Sequence, residues 1–114
     1  MNDQYMRFVE ASVFTKRLLR IVDDDTYRRF QVELAVNPEK GPVIQGPGGL
    51  RKARIAARGK GKRGGARVIY LHVETARVIY LLYVYDKGEA DDLTTGEKRE
   101  LRAMAEAIKQ EYRK

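Results

Sequence analysis

The sequence predicts an α+β fold, with a central antiparallel sheet and helices packed on one face. Two observations carry that prediction. Apolar residues recur at helical spacing near both ends of the chain, while the stretch between them alternates or runs in Val, Ile and Tyr, as strands do. At 114 residues the chain reads as one domain, 1–114, large enough for a modest core.

Taken in order, residues 6–9, MRFV, suggest a short first strand. Phe14, Leu18, Ile21 and Val22 then mark the inner face of a first helix. Asp23–Asp24–Asp25 supplies caps and negative charge for the start of a second helix, on which Tyr27, Phe30, Gln31 and Leu34 share a face. Asn37–Pro38 ends it. The Gly/Pro-rich stretch 41–49, GPVIQGPGG, is a loop leading into the sheet. Residues 50–57 alternate, and RGKGKRGG at 58–65 is a flexible connection. A hairpin follows, ARVIYLHV and RVIYLLYVY, turning near Glu74–Thr75. Thr94 with Glu97 forms a capping box for a last helix, whose stripe is Leu101, Met104, Ala105, Ile108 and Tyr112. The predicted order is β-α-α-β-β-β-α.

Charge is distributed unevenly. The net charge is +7, yet residues 40–73 hold nine basic groups and no acidic ones, leaving the rest at −2. A one-sign stretch repels itself unless an anion joins it. It is either a solvated basic loop or an anion site, most simply for a nucleic-acid backbone. Zero Cys excludes disulfides, Cys-type zinc sites and thiol nucleophiles, and fits a reducing cytoplasm. No apolar run approaches the ~20 residues of a membrane helix, so no membrane role is expected.

Strand alternation puts Lys52 and Arg54 on one face, Arg67 with Ile69 and Leu71 on a face of the next strand, and Tyr83, Tyr85 and Lys87 on a face of the last. If these are the same side of the sheet, they form a concave basic surface with two aromatic rings. The opposite side would carry the core: Ala53, Ile55, Val68, Tyr70, Val78, Tyr80, Leu82 and Val84. Tyr70 and Tyr80 read as packed aromatics, and His72 and Arg77 as solvated residues. Metal ligation has little support, because His72 has no partner at ligand spacing and Glu89–Asp91–Asp92 is explained by the helix start beside it.

The segments GLRKARIAARGKGKRGGARVIYLHV and IYLLYVYDKGEADDLTTGEKRELRAM resemble the RelE/ParE superfamily of bacterial toxins, and most of all its HigB-like branch of RelE type. The likeness runs over about residues 12–108. It implies a RelE-like fold and an mRNA endoribonuclease, usually acting on the ribosome, neutralised by a cognate antitoxin; the residues themselves suggest no cofactor. It also implies that the toxin–antitoxin complex binds operator DNA through the antitoxin.

Metal-free RNA cleavage uses the neighbouring 2′-OH as nucleophile and needs help with two proton transfers and with charge on the phosphate. One His excludes a His pair within one chain. The candidates are therefore Lys52, Arg54, Arg67, Lys87 and Tyr85. Arg54 and Arg67 would grip the phosphate with paired donors. Lys52 would polarise the 2′-OH or take its proton, since neighbouring cations disfavour a charged lysine. Lys87 would stabilise charge or protonate the leaving oxygen. Tyr85 would stack on a base or share proton transfer. Arg51, Arg58, Lys60, Lys62, Arg63 and Tyr83 are candidates for holding mRNA or ribosomal RNA, although Arg51 can equally be a solvated partner of a nearby acid.

In the resemblance, Lys52, Arg54 and Arg67 match the family's basic catalytic positions, and Lys87 stands where RelE has an Arg. RelE's catalytic Tyr, at the start of its last helix, has Leu93 as its nearest match here, which leaves the general base open. Two rivals stand beside this reading, one sharing the fold and the other the patch. A ParE-like toxin would inhibit DNA gyrase without cutting RNA, although Arg67 and Lys87 lean against it. A non-enzymatic RNA- or ribosome-binding module would use the same residues only for contacts.

Overall fold

Three consecutive aspartates start the second helix in the computed structural model, which describes residues 5–46, 48–59, 65–90 and 92–113. Asp23 is the N-cap: its carboxylate accepts the Thr26 N–H at 2.8 Å, and Asp24 and Asp25 occupy the first turn. Helix α1 is Ser12–Ile21 and α2 is Asp24–Val36. They follow strand β1, Arg7–Glu10, and precede β2, Arg51–Ile55; β3, Ala66–Val73; β4, Val78–Asp86; and helix α3, Thr95–Glu111. The predicted order is therefore the observed one.

The sheet runs β1-β4-β3-β2. Strands β2, β3 and β4 are antiparallel, as expected, but β1 lies parallel to β4 at the edge. A single 3-10 turn, Glu74–Ala76, closes the β3–β4 hairpin, and Arg77 completes it in the left-handed region at φ 56°.

The expectation that all helices cover one face needs correction. Helices α1 and α2 bury Phe14, Leu18, Phe30 and Leu34 against Ala53, Ile55, Val68, Tyr70, Ile79, Leu81 and Val84. Helix α3 lies on the other face, where Leu101 and Ala105 meet Ile69, Leu71, Leu82 and Tyr85. Both faces of the sheet are therefore apolar at their centre.

A β-bulge makes this possible. Ile69 pairs with Tyr83, but Tyr70 pairs with Leu81, so Leu82 has no partner on β3. One extra residue reverses which side chains face which side. Before the bulge, Ile79 and Leu81 face α1 and α2; after it, Val84 does. Tyr80 and Leu82, expected in the core with Val84, instead face α3.

The loop before β2 is fastened by Tyr70. Its hydroxyl donates to the Pro38 carbonyl at 2.8 Å and accepts the Gly41 N–H at 3.1 Å. Lys52 N–H then donates to the Pro42 carbonyl at 3.1 Å, so residues 38–42 form a wall against β2.

Candidate functional site

Strand pairing gathers the basic residues. Arg54 on β2 pairs with Arg67 on β3, which pairs with Tyr85 on β4. Lys52 pairs with Ile69, and Ile69 with Tyr83. Directly paired residues project from the same face, so Lys52, Arg54, Arg67 and Tyr85 are co-facial across three strands spaced about 5 Å apart. They line one cleft of about 500 Å³ with Lys87, which follows the end of β4, and Lys40, which belongs to the 38–42 wall. The convergence expected from alternation is thus present, and the bulge brings the end of β4 into it.

Arg67 is the unusual member. It is 9% exposed, and among the described residues its side chain makes one hydrogen bond, from Nη1 to the Ala66 carbonyl at 3.2 Å. Among the described residues it has no ion pair. A guanidinium carries five N–H donors, and burying a cation without a counter-charge is costly. Arg54, directly opposite it, adds repulsion. An anion in the cleft would offset both costs.

Tyr85 is 3% exposed, so its ring is not available for base stacking. Its hydroxyl is buried and has no hydrogen-bond partner among the described residues. Burial first, and then the Asp92 carboxylate, pushes the phenol above its ordinary value. It is consequently a proton-bearing donor beside Arg67, not a base.

Lys52 is not surrounded by cations alone. Asp92, in the turn before α3, brings Oδ1 within 3.7 Å of its Nζ, and Oδ2 within 3.7 Å of Lys98 Nζ. The expectation of a basic trio without local acids is corrected to that extent. Alternation could not have found Asp92, which a long connection carries to β2, and capping explained it adequately in sequence. Lys40 was counted in the basic segment but given no role; it reaches the cleft while pairing with Glu33 at 2.6 Å.

The remaining candidates lie elsewhere. Arg51 pairs with Tyr70 and so belongs to the opposite face, where Nη1 donates to the carbonyls of Gly41 at 2.8 Å and Glu39 at 3.3 Å. Arg58 donates to the Leu19 carbonyl at 3.2 Å, near the end of α1. Tyr83 donates to Glu97 Oε2 at 3.0 Å, and the Arg17 guanidinium covers its ring at 4.7 Å. Lys60, Lys62, Arg63 and Asp91 lie outside the described residues. Among the described residues, no three His, Asp or Glu side chains cluster to hold a metal ion, and no helix is long and apolar enough to cross a membrane.

Two carboxylates at the start of α3 titrate below their ordinary values. Asp92 is lowered by the Leu93 N–H and then by Lys52 and Lys98, and Glu97 by the Thr94 N–H and then by Tyr83. Depressed folded-state values mean stability that is present above the ordinary 3.8 and 4.5 and lost as pH falls through the folded values. Amide protection at residues 93–98 should therefore weaken below about pH 4, before the sheet opens. Protection unchanged down to pH 2.5, read by hydrogen exchange corrected for intrinsic rates, would contradict this.

Known proteins share this architecture. The family model described as "RelE toxin of RelE / RelB toxin-antitoxin system" matches residues 31–114. The chain belongs to the RelE toxin family. It is a toxin of a toxin–antitoxin system. The isolated Escherichia coli RelE toxin superposes with a TM-score of 0.56 at 11% identity, over 88% of this chain and 99% of that one. A chain of the intact E. coli RelBE toxin–antitoxin complex gives 0.55 at 14%, over 72% and 96%. A chain of the archaeal RelE–RelB complex from Pyrococcus horikoshii OT3 gives 0.51 at 25%, over 75% and 98%. Against these relatives, the RelE-type α+β fold stands as expected.

Proposed function

We propose that this RelE-family toxin is a ribosome-dependent mRNA endoribonuclease, cutting by 2′-OH attack without a metal. The observation that carries the reading is Arg67: a buried cation with no counter-charge among the described residues, beside Lys52, Arg54, Lys87 and a Tyr85 hydroxyl that likewise has no hydrogen-bond partner among them. A scissile phosphate supplies the missing charge, and two non-bridging oxygens suit paired guanidinium donors. In the step, the 2′-oxygen bonds to phosphorus and the bond from phosphorus to the 5′-oxygen breaks. Lys52, held by Asp92, polarises the 2′-OH as its proton is lost to water. Arg54, Arg67 and Tyr85 stabilise the phosphorane oxygens, and Lys87 protonates the departing 5′-oxygen. The products are a 2′,3′-cyclic phosphate and a 5′-OH end.

Lys60, Lys62 and Arg63 would hold the mRNA or ribosomal RNA backbone. The inhibitor would be a cognate antitoxin, as in the RelBE and RelE–RelB complexes, and the pair would bind operator DNA through the antitoxin. Brief induction of the toxin alone in a bacterial host should halt translation, with new 5′-OH ends inside translated codons. Continued protein synthesis with stalled replication would point to gyrase instead. Ribosome binding without new ends would leave a binding module.

A further inference from the structure

Tyr83 shares the sheet face of Arg67 but takes no part in lining the cleft. Its ring and its hydroxyl each have a partner. Arg17 on α1 donates from Nε to the Val84 carbonyl at 2.7 Å, lies over the Tyr83 ring at 4.7 Å, and approaches Glu89 to 3.7 Å. The Tyr83 hydroxyl donates to Glu97 Oε2 at 3.0 Å. Glu97 Oε1 accepts the Thr94 N–H at 2.8 Å, and Thr94 Oγ1 accepts the Glu97 N–H at 3.0 Å. Tyr83 is thus bonded to the Glu97 carboxylate, which in turn closes the α3 capping box with Thr94. Two residues before Thr94, Asp92 accepts the Leu93 N–H at 2.7 Å and reaches Lys52 and Lys98.

One run of polar contacts and short backbone therefore leads from α1, across β4 and the α3 N-terminus, to the ammonium of Lys52. A lysine has a flexible four-carbon stem and needs an external partner to fix its head. Asp92 is that partner, and its own position follows from the turn that Tyr83 and Glu97 clamp. We infer that Tyr83 is a positioning residue that, through the first turn of α3 and Asp92, sets where Lys52 stands in the cleft. This rests on the nuclease reading above for its consequence, though not for its geometry. It replaces the expectation that Tyr83 contacts RNA.

The test is Tyr83→Phe in the full chain, which keeps the ring and removes only the hydroxyl. On ribosomes programmed with a defined mRNA, kcat should fall about 10-fold while KM changes less than about twofold, because misplacing a catalytic group acts on the chemical step. In a Lys52→Ala background, Tyr83→Phe should cost nothing further. A kcat equal to wild type overturns the inference. So does a rise in KM alone, which would mean an RNA contact, or an equal further loss without Lys52, which would mean a merely structural role. A second readout needs no catalysis: modification of Lys52 by an amine-reactive ester, followed by mass spectrometry, should quicken about threefold while that of exposed Lys16 stays unchanged. If wild type cuts nothing, this rate still decides the inference while the nuclease reading fails by itself. Should Tyr83→Phe not fold, Asp92→Asn, which keeps the acceptor for the Leu93 N–H but removes the charge facing Lys52, is read by the same kcat and Lys52-modification measurements, and no change in either overturns the inference.

Discussion

Replacing Arg67 with Met is expected to slow cleavage by roughly 10²–10³-fold while leaving the protein as stable as wild type or more so. The two effects have one cause. Arg67 is buried, faces Arg54 across the β2–β3 ladder, and has no carboxylate partner among the described residues. Met fills a similar volume without a charge to desolvate. Exchanging even a complete buried ion pair for apolar volume is commonly neutral or stabilising by ~1–4 kcal/mol, and Arg67 has no ion pair among the described residues to lose. The chemical step loses the donors aimed at the phosphate, an effect of roughly 10²–10³-fold when such a donor is removed from an oxyanion site. Arg67→Lys keeps the charge but not the fork of donors, so it should fall between the two. Single-turnover cleavage with thermal denaturation of the same samples checks both halves. A melting temperature lowered by many degrees would mean that Arg67 holds the sheet together and would remove the main support for an anion site.

The second large effect concerns a residue with no side chain. A Cβ on Gly41 would meet the Lys52 carbonyl oxygen at 2.8 Å, its carbon at 3.0 Å and Tyr70 Cε1 at 3.1 Å. Two of those atoms are strand backbone, which cannot swing aside as a side-chain tip can. Gly41 is also held by the Tyr70 hydroxyl on its N–H and by Arg51 on its carbonyl. Gly41→Ala must therefore either displace β2 at Lys52 or pull the 38–42 wall off Tyr70. Overpacking of this kind costs about 1–3 kcal/mol. Because that wall carries Lys40, and β2 carries Lys52, cleavage should fall together with stability. Gly96→Ala is the control: in the first turn of α3, its nearest neighbour to an added Cβ is Thr94 Oγ1 at 3.9 Å, and alanine favours helix there. Urea denaturation should separate the two variants in sign. A Gly41→Ala protein matching wild type in both stability and rate would show that the loop yields freely.

Much of this molecule could be read without coordinates. The element order follows from periodicity and caps: Asp23 and Thr94 stand where their hydrogen bonds start α2 and α3. The site face of β2 and β3 also followed from alternation, because neither strand is interrupted between Lys52 and Arg54 or between Arg67 and Leu71. Family resemblance added roles to Lys52, Arg54 and Arg67, and alternation had already placed Lys52 with Arg54. Reading β4 by simple alternation failed at Tyr80 and Leu82. A bulge is a property of pairing between strands, and nothing in VIYLLYVYD marks it.

What the sequence determined by itself is local: where helices begin, which residues alternate, and that positive charge is concentrated in one segment. These depend on neighbours a few positions apart, which any reader of the chain can see. What only the tertiary structure decided is which side of the sheet α3 takes, that Asp92 reaches Lys52 from 40 positions away, that Arg51 turns to the opposite face, and that the Tyr83 ring is already claimed by Arg17 and its hydroxyl by Glu97. Those outcomes depend on strand register and on how two apolar faces divide three helices between them. Such choices are made by the free energy of the whole packed chain, and no short stretch contains it.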